Sequence, residues 1–272
     1  MSTETPTGLS LNLAPGGIAW VTLNRPEKRN AFDAGIIAGL TRMLTRLDQD
    51  DSVRVVVLAA AGKHFSAGAD LHWMKDTAAM SKADNEADAL ALAGLMATLD
   101  QLSKPTIARV QGAAFGGALG LICCCDIAIA SDQARFCLSE VKLGLAPAAI
   151  SPYVVRAMSH RQARRYMLTA EVFDAPQAQA LGVIHEQAPE SELDTRVDHH
   201  CRALLQGGPQ AQAACKDLLQ QLDNPAHTQG MGHLTATTIA RLRTSAEGQE
   251  GLQAFFDKRP PDWRDDGGEM PV

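Results

Sequence analysis

Cysteine, aromatic residues and positive charge are all scarce in this chain of 272 residues. Six cysteines are too few for a disulfide scaffold at this length, and none shows the CxxC spacing of a zinc or redox site. The 25 basic residues are outnumbered by 31 acidic ones, which argues against a nucleic-acid-binding surface. No apolar run approaches the ~20 residues of a membrane-spanning helix. We therefore expect no metal site, no nucleic-acid partner and no membrane partner.

The first residues of the sequence show no targeting pattern. Residues 1–17 lack a basic segment followed by an apolar one, and they contain no arginine. A secretory signal needs the first feature, and a mitochondrial transit peptide is rich in arginine. The sequence therefore predicts a cytoplasmic protein.

The order of extended runs and helical patterns predicts the fold class. Strands and helices alternate in the first half, and helical patterns dominate from residue 151 onward. The predicted strands cover residues 9–13, 18–23, 53–59, 106–110, 126–130, 134–138 and, among the later helices, 183–185. The predicted helices cover residues 34–47, 83–102, 152–169, 175–181, 190–206, 209–222, 230–244 and 248–257. This order is typical of an α/β protein with a parallel sheet and a helical C-terminal region.

Three consecutive cysteines, Cys123, Cys124 and Cys125, lie in an apolar stretch that we interpret as a buried strand. Neighbouring side chains on a strand point to opposite faces, so the three thiols could not converge on one metal ion. We expect them to be reduced and to serve as small buried apolar side chains.

Two loops of small residues, 66–70 and 114–118, each follow a predicted strand and lead into a helical segment. The first N–H groups of a helix have no partner inside it, and small side chains let a ligand approach the backbone closely. Two such N–H groups directed at one point would form an oxyanion site. Close packing of helix on sheet explains the same small residues equally well. Neither loop has the glycine pattern of a nucleotide-phosphate motif.

Glu140 stands out among the acidic residues because it lies in a mostly apolar segment, 136–141. A carboxylate there either pairs with a cation, such as Lys142 or Arg135, or stays partly desolvated for proton transfer. Composition alone favours the ion pair. The eight histidines form no HxxxH or HExxH pattern, and no serine lies in a GxSxG elbow.

Five further segments occur in a fixed order along nearly the whole chain. They are TLNRPEKRNAFD (22–33), FSAGADL (65–71), KPTIARVQGAAFGGALGL (104–121), LTAEVFDAPQAQALGVIHE (168–186) and SAEGQEGLQAFFDKRPPDW (245–263). Together they resemble the enoyl-CoA hydratase/isomerase (crotonase) superfamily. The resemblance implies an α/β fold with a ββα spiral core over residues 1–200 and a helical trimerisation region over 201–272. It also implies a homotrimer or a dimer of trimers.

The resemblance further implies an acyl-CoA thioester as substrate, with coenzyme A as part of that substrate and no separate cofactor. The thioester oxygen would accept hydrogen bonds from the N–H groups of Ala69 and Gly117, which match the family's oxyanion hole. Losing one such donor typically costs about 3 kcal/mol. Glu140 matches a catalytic glutamate of the family. The other expected substrate contacts are Lys28, Arg29, Ala67, Asp70 and Leu71, with Phe255 or Lys258 from a neighbouring subunit.

One position departs from the family's two-glutamate pattern. Hydratases with two catalytic glutamates carry the first one three residues after the oxyanion glycine, and here that residue is Gly120. Two carboxylates are the usual means of activating water and delivering the proton to the α-carbon. With one, the chain either uses another group or performs chemistry that needs a single base.

Gly120 and the segment SEVKLGLAPAAISPYVV (139–155) are most similar to bacterial methylglutaconyl-CoA hydratases of leucine breakdown. We therefore expect hydration of 3-methylglutaconyl-CoA to 3-hydroxy-3-methylglutaryl-CoA, with Glu140 as the acid/base. The alternatives are hydration of isohexenylglutaconyl-CoA or of a generic enoyl-CoA, Δ3,Δ2-enoyl-CoA isomerisation, and catalytically silent binding of an acyl-CoA. RNA binding, known for some members of the superfamily, is disfavoured by the net charge of −6.

Overall fold

The computed structural model describes residues 6–222 and 231–264. The strands are β1 (Leu9–Ala14), β2 (Ile18–Leu23), β3 (Val55–Ala60), β4 (Thr106–Val110), β5 (Ala113–Phe115), β6 (Ile127–Ser131), β7 (Arg135–Cys137), β8 (Phe173–Asp174) and β9 (Glu186–Ala188). The helices are α1 (Ala34–Asp48), α2 (Leu71–Ala78), α3 (Lys82–Asp100), α4 (Gly117–Cys124), α5 (Ser151–Thr169), α6 (Ala175–Leu181), α7 (Leu193–Leu205), α8 (Pro209–Leu222), α9 (Met231–Thr244) and α10 (Ala246–Asp257). Short 3-10 turns cover Pro26–Lys28, Glu140–Leu143 and Glu190–Glu192.

Two sheets organise the strands. The larger has the order β1-β2-β3-β4-β6-β9, and the smaller has the order β5-β7-β8. In the larger sheet β1 and β2 form an antiparallel hairpin, and every other neighbouring pair is parallel. Parallel strands are usually covered on both faces, and every residue of β3 is buried. Val56 and Leu58 join the main core, whereas Val55 and Val57 join a smaller core on the other face.

Helix α1 shows how local sequence fixes an element that supports the loops described below. The side chain of Asp33 caps the helix by accepting a hydrogen bond from the N–H of Ile36 at 2.9 Å. Its apolar residues recur at helical spacing, and Ile37, Leu40 and Leu44 are fully buried. They pack α1 against the main core and α3.

The α/β class predicted from the sequence is confirmed, and most predicted elements lie within a few residues of the observed ones. The short strands β5 and β8 were missed because two or three residues carry too little periodicity to be recognised. The expected division at residue 200 falls inside α7. That division and the trimerisation role of the C-terminal helices stay predictions. Residue 230, the first of the predicted helix 230–244, lies outside the described residues.

The cysteine triplet was wrongly predicted as a strand. Cys123 and Cys124 end helix α4, and Cys125 follows it in an extended conformation. Because α4 is apolar on all sides, its sequence has no helical period that would distinguish it from a buried strand. Cys124 and Cys125 are buried, Cys123 is half-buried, and all three are free thiols. Burial raises the pKa of Cys123 to about 12, which keeps it protonated and unreactive at neutral pH.

The predicted strand at 183–185 was also wrong, because the strand lies at Glu186–Ala188. Val183 and Ile184 are instead buried in the main core after Gly182, which ends α6 in the left-handed conformation. Their apolar side chains resemble the sequence of a buried strand, although here they pack a connecting segment against the core. None of the helices in the described ranges is long and apolar enough to cross a membrane.

Candidate active site

Two chain segments that follow neighbouring parallel strands run side by side. The loop after β3 pairs with β5, since the N–H of Ser66 donates to the carbonyl of Ala113 at 3.0 Å. The N–H of Phe115 donates in turn to the carbonyl of Ser66, also at 3.0 Å. The carboxyl ends of neighbouring parallel strands are the usual position of a ligand site in such sheets. The structure thus brings together the two small-residue loops that the sequence singled out.

Ala69 and Gly117 both present a backbone N–H without an internal acceptor. Around Ala69, the N–H of Phe32 donates to Gly68 at 2.8 Å and the N–H of Asp70 donates to Phe32 at 2.7 Å. This parallel bridge uses the Gly68 carbonyl and the Asp70 N–H. The N–H of Ala69 therefore has no acceptor among the described residues. Gly117 begins α4, so its N–H has no intrahelical partner, and none of the described residues accepts from it.

Phe32 connects the two N–H groups in space. It forms the bridge to Ala69, and a Cβ built on Gly117 would lie 3.5 Å from carbons of the Phe32 ring. The two donors therefore both lie next to the buried residue Phe32, Ala69 beside its backbone and Gly117 beside its ring.

Gly116 is the point at which the second loop meets Glu140. Its dihedral angles, φ 55° and ψ −125°, are open to glycine and strongly unfavourable for other residues. Its N–H donates to the carbonyl of Cys137 at 2.9 Å, which fixes the loop on β7. A Cβ on Gly116 would lie 3.1 Å from Oε1 of Glu140. Only glycine thus lets the carboxylate approach this backbone closely.

Glu140 begins the 3-10 turn Glu140–Leu143 and has no ion-pair partner among the described residues. Its Oε2 atom is buried and lacks a hydrogen-bond partner there. Arg135 donates instead to the backbone carbonyls of Gln133 and Ala134. Burial raises the pKa of the Glu140 carboxyl above its usual range. The ion pair favoured by composition is therefore wrong, and the desolvated alternative is the one observed.

Gly120 lies one helical turn after Gly117, and the space next to it is filled. A Cβ at this position would lie 2.8 Å from Cβ of Ile150 and 3.0 Å from the sulfur of Met96. Both side chains are buried. The absence of a first glutamate thus leaves no cavity, because aliphatic atoms occupy the place.

A cationic loop borders the first of the two N–H groups. Asp70 accepts hydrogen bonds from Lys28 at 3.1 Å and from Arg25 at 3.2 Å, and it caps α2 through the N–H of His72 at 2.9 Å. Although burial raises it, hydrogen bonds from Lys28 and the His72 backbone hold the pKa of Asp70 below its usual range. The Asp70 carboxylate is thus fully engaged, while Lys28 remains half-exposed.

The other residues expected at this loop lie beside it. Arg29 has a positive φ of 51°, and its carbonyl accepts the N–H of Ala67 at 3.0 Å. Leu71, the first residue of α2, is 82% exposed. Phe255 and Lys258 belong to α10 and its end, which pack with α8 and α9. In the described ranges no hydrogen bond joins these two residues to the loops, and their expected approach from a neighbouring subunit stays a prediction.

A comparison with family models identifies the family of the chain. Residues 14–266 match the model of the enoyl-CoA hydratase/isomerase family. The chain belongs to this family. An enoyl-CoA hydratase-type activity on an acyl-CoA thioester is therefore supported, and with it a hydro-lyase as the class of enzyme.

Relatives of known sequence or structure agree with the family. An enoyl-CoA hydratase from Shewanella pealeana has 52% identity and a TM-score of 0.91, covering 94% of this chain and 96% of its own. An enoyl-CoA hydratase of Alternaria alternata is 34% identical over 89% of this chain and 80% of its own length. A mevalonyl-coenzyme A hydratase of Aspergillus fumigatus is 32% identical over 97% of this chain and 98% of its own length.

In this member of the enoyl-CoA hydratase/isomerase family, sequence reasoning missed Asn30, which holds the first loop in place. Its side chain accepts from the N–H of Arg25 and donates to the carbonyls of Ala61 and His64, each at 2.8 Å. Asn30 is buried with a positive φ of 53°. The available signal was a short polar residue enclosed in the motif KRNAF, since asparagine tolerates this conformation.

His64 ties the two loops together and was also missed. Its Nδ1 accepts a hydrogen bond from the N–H of Ala113 at 3.1 Å. Burial lowers the pKa of His64, with Lys63 and Arg29 acting in the same direction. The neutral ring is therefore favoured, as the acceptor role of Nδ1 requires. In the described part of the chain, no three His, Cys, Asp or Glu side chains are grouped closely enough to hold a metal ion.

Proposed function

We propose that the protein hydrates 3-methylglutaconyl-CoA to 3-hydroxy-3-methylglutaryl-CoA, with Glu140 as its acid/base. The observation that carries the proposal is the buried carboxylate of Glu140, which lacks an ionic partner within residues 6–222 and 231–264 and lies against Gly116. The unused N–H groups of Ala69 and Gly117 belong to the same pair of loops. Proton transfer at a thioester requires a carboxylate that accepts and donates the proton and backbone donors that stabilise the charge on the thioester oxygen.

In the proposed reaction the thioester oxygen accepts hydrogen bonds from Ala69 and Gly117. The carboxylate of Glu140 takes a proton from water while the water oxygen bonds to the β-carbon. Negative charge moves to the thioester oxygen, where the two N–H groups stabilise it. The protonated Glu140 then delivers the proton to the α-carbon, so that one water has been added and the carboxylate is restored.

A raised pKa suits this double role of Glu140. A carboxylate with an ordinary pKa is a weak base towards water, and desolvation strengthens it. One group that both accepts and returns the proton needs no second carboxylate. Gly120 is therefore compatible with hydration.

The acyl group is the finer part of the proposal. Gly120 and the segment 139–155 resemble bacterial methylglutaconyl-CoA hydratases, and one relative bears the name mevalonyl-coenzyme A hydratase. Both names refer to acyl chains branched at the β-carbon. Isohexenylglutaconyl-CoA and unbranched enoyl-CoA thioesters are the competing substrates.

For coenzyme A we propose contacts with the exposed Lys28 and with Arg29, as well as with Ala67, Asp70 and Leu71 along the first loop. Phe255 and Lys258 would reach this ligand from a neighbouring subunit of a trimer or a dimer of trimers. The 64% exposure of Phe255 in the isolated chain fits such an interface. No separate cofactor takes part in the proposed reaction.

Δ3,Δ2-enoyl-CoA isomerisation is the second candidate, and Gly120 is the observation that favours it. Moving a double bond by one position needs a single base that removes one proton and returns it to another carbon. Glu140 alone is sufficient for this.

A steady-state assay in 18O-labelled water distinguishes the candidates. The purified protein is incubated separately with 3-methylglutaconyl-CoA, crotonyl-CoA and a 3-enoyl-CoA, and products are read by mass. We expect 18O incorporation with the highest kcat/KM for 3-methylglutaconyl-CoA. A preference for crotonyl-CoA would contradict the acyl assignment, and a shifted double bond without 18O would identify an isomerase. Binding without turnover of all three would indicate a silent acyl-CoA binder.

A further inference from the structure

The chain after Glu140 returns to α4, where Ile150 makes a buried contact with Gly120. From the turn Glu140–Leu143 the chain passes Gly144 and reaches Ile150, the residue immediately before α5. Ile150 is 2% exposed, and its carbonyl accepts the N–H of Val154 at 3.1 Å in the first turn of α5. Its side chain enters the space that Gly120 leaves on α4.

The fit between Ile150 and Gly120 depends on shape. A Cβ on Gly120 would overlap Cγ2 of Ile150 and lie 2.8 Å from its Cβ. The β-branch of Ile150 thus packs into the space that a side chain at Gly120 would fill. Met96 of α3 closes the same space, since its sulfur lies 3.0 Å from the position of that Cβ. Three elements therefore meet at the branch of one side chain.

This contact connects the two halves of the candidate site. Helix α4 begins at Gly117, one of the proposed oxyanion donors, and Gly120 lies one turn further on the same helix. Glu140 and Ile150 lie at the two ends of a short connection that the hydrogen bond from the N–H of Leu145 to the carbonyl of Glu140, at 3.1 Å, folds back on itself. Docking Ile150 on Gly120 therefore restricts where Glu140 lies relative to the N–H of Gly117.

We propose that Ile150 is a positioning residue. Its β-branch packs on Gly120 and thereby fixes the position of the Glu140 carboxylate relative to the Gly117 N–H. This inference rests on the proposed hydration at Glu140. It assigns to Gly120 a role of its own, which is to receive this branch, so that the residue standing in place of a glutamate is part of the catalytic geometry. Misplacing a catalytic group by about 1 Å can cost up to about 100-fold in rate.

The test compares three side chains at position 150 by steady-state hydration kinetics. Ile150→Val keeps Cβ and the β-branch atom Cγ2. Ile150→Leu keeps the side-chain volume and loses the β-branch, whereas Ile150→Ala loses the volume and the β-branch. We expect kcat of the valine variant within about twofold of wild type, and kcat of the leucine and alanine variants at least about tenfold lower, with KM nearly unchanged. A residue that only filled space would give the opposite order, with leucine tolerated at least as well as valine.

Ile129→Ala is the matched control, because it deletes the same atoms from a fully buried isoleucine in the smaller core. It should lose stability with kcat unchanged. The carboxyl titration of Glu140, followed by NMR in 13C-labelled protein, gives a readout that needs no turnover. Cys137 on β7 is the ionisable group that interacts electrostatically both with Glu140 and with Lys142 of the same turn. Cys137 and Lys142 are retained in every variant.

The NMR titration should show an elevated Glu140 pKa in wild type and Ile150→Val, and a pKa nearer the ordinary value in the leucine and alanine variants. Unchanged kcat and unchanged titration in those two variants would overturn the positioning role while leaving hydration intact. Failure of wild type to hydrate any enoyl-CoA would instead overturn the proposed function, and the titration would still decide the role of Ile150.

Discussion

Two of the carboxylates in the loop region, Asp70 and Glu140, have opposite surroundings. Asp70 accepts hydrogen bonds from Arg25, Lys28 and the backbone of His72, so its negative charge lies beside two cations. Glu140 has a buried oxygen without a partner in the described residues and packs against Gly116. The pKa of Asp70 is lowered, whereas burial raises that of Glu140. The difference suits a structural role for Asp70 and the proton-transfer role that we propose for Glu140.

The comparison also shows what each arrangement does to stability. The hydrogen bonds and ion pairs of the ionised Asp70 stabilise the folded state. Because the folded pKa of Glu140 lies above its unfolded value, its contribution is fully present at low pH and is lost as the pH rises through the folded pKa. At neutral pH Glu140 thus destabilises the fold, as is common for catalytic groups.

The largest effect is expected for Glu140→Gln. The amide cannot accept the proton of water, so kcat should fall about 10²–10⁴-fold. The melting temperature at pH 7.5 should equal or exceed that of wild type, because a buried charge is removed. Enzyme assays and thermal unfolding measure the two quantities. Glu171→Gln, which removes one side of an exposed pair with Arg165, should change neither appreciably. Full activity of Glu140→Gln would exclude the acid/base role.

Gly116→Ala should follow, with kcat lowered about 10–100-fold. The new Cβ would press on Oε1 of Glu140, and the backbone conformation would cost about 1–3 kcal/mol of stability. Gly16→Ala is the control, because Gly16 also has a positive φ, 76°, but lies in the hairpin between β1 and β2. It should lose stability without losing kcat. Equal losses of kcat in both variants would mean that Gly116 acts through general stability only.

Asp70→Asn should produce the reverse of the Glu140 result. Asparagine still caps α2, but the charge that pairs with Arg25 and Lys28 is lost, at a cost of about 2 kcal/mol of folding stability. We expect kcat to change by no more than about threefold, because Asp70 has no part in proton transfer. Denaturant unfolding and steady-state kinetics check this pair of outcomes. A loss of kcat as large as that of Glu140→Gln would make Asp70 a catalytic carboxylate.

The smallest expected effect is a pH dependence of stability that arises from His64 and His185. Burial lowers the pKa of both rings in the folded protein. Below the unfolded pKa of about 6.5 the unfolded chain therefore binds more protons, and stability should decrease as the pH falls. Urea unfolding between pH 7.5 and 5.5 measures the slope. His64→Gln should reduce that slope, and an identical slope would show that His64 does not contribute.

Much of the scaffold could be predicted from local sequence. The Asp33 cap with its helical apolar spacing defined α1, and the β-branched run of β3 defined a buried strand. Besides the short strands β5 and β8, the elements that were wrongly predicted were α4 and the connection at 183–184. Helix α4 and this connection are apolar and largely buried, so no alternation with polar residues marks their period.

The site was only partly accessible from sequence. Small residues before α2 and α4 pointed to the backbone donors, because that signal is local. The environment of Glu140 is set by Gly116, which is distant in sequence, and composition therefore favoured the wrong partner. The contact of Ile150 with Gly120 is likewise a long-range fit of shapes. Neither the sequence around Gly120 nor the sequence around Ile150 indicates on its own that the isoleucine packs against the glycine.

The pH dependence of kcat/KM for hydration tests most directly whether Glu140 works alone. A single base predicts that the rate falls with one acidic ionisation as the pH decreases, with a midpoint above the ordinary glutamate pKa of 4.5. A rate that is independent of pH through this range, or that falls with two acidic ionisations, would contradict the assignment of one unpaired carboxylate as the acid/base.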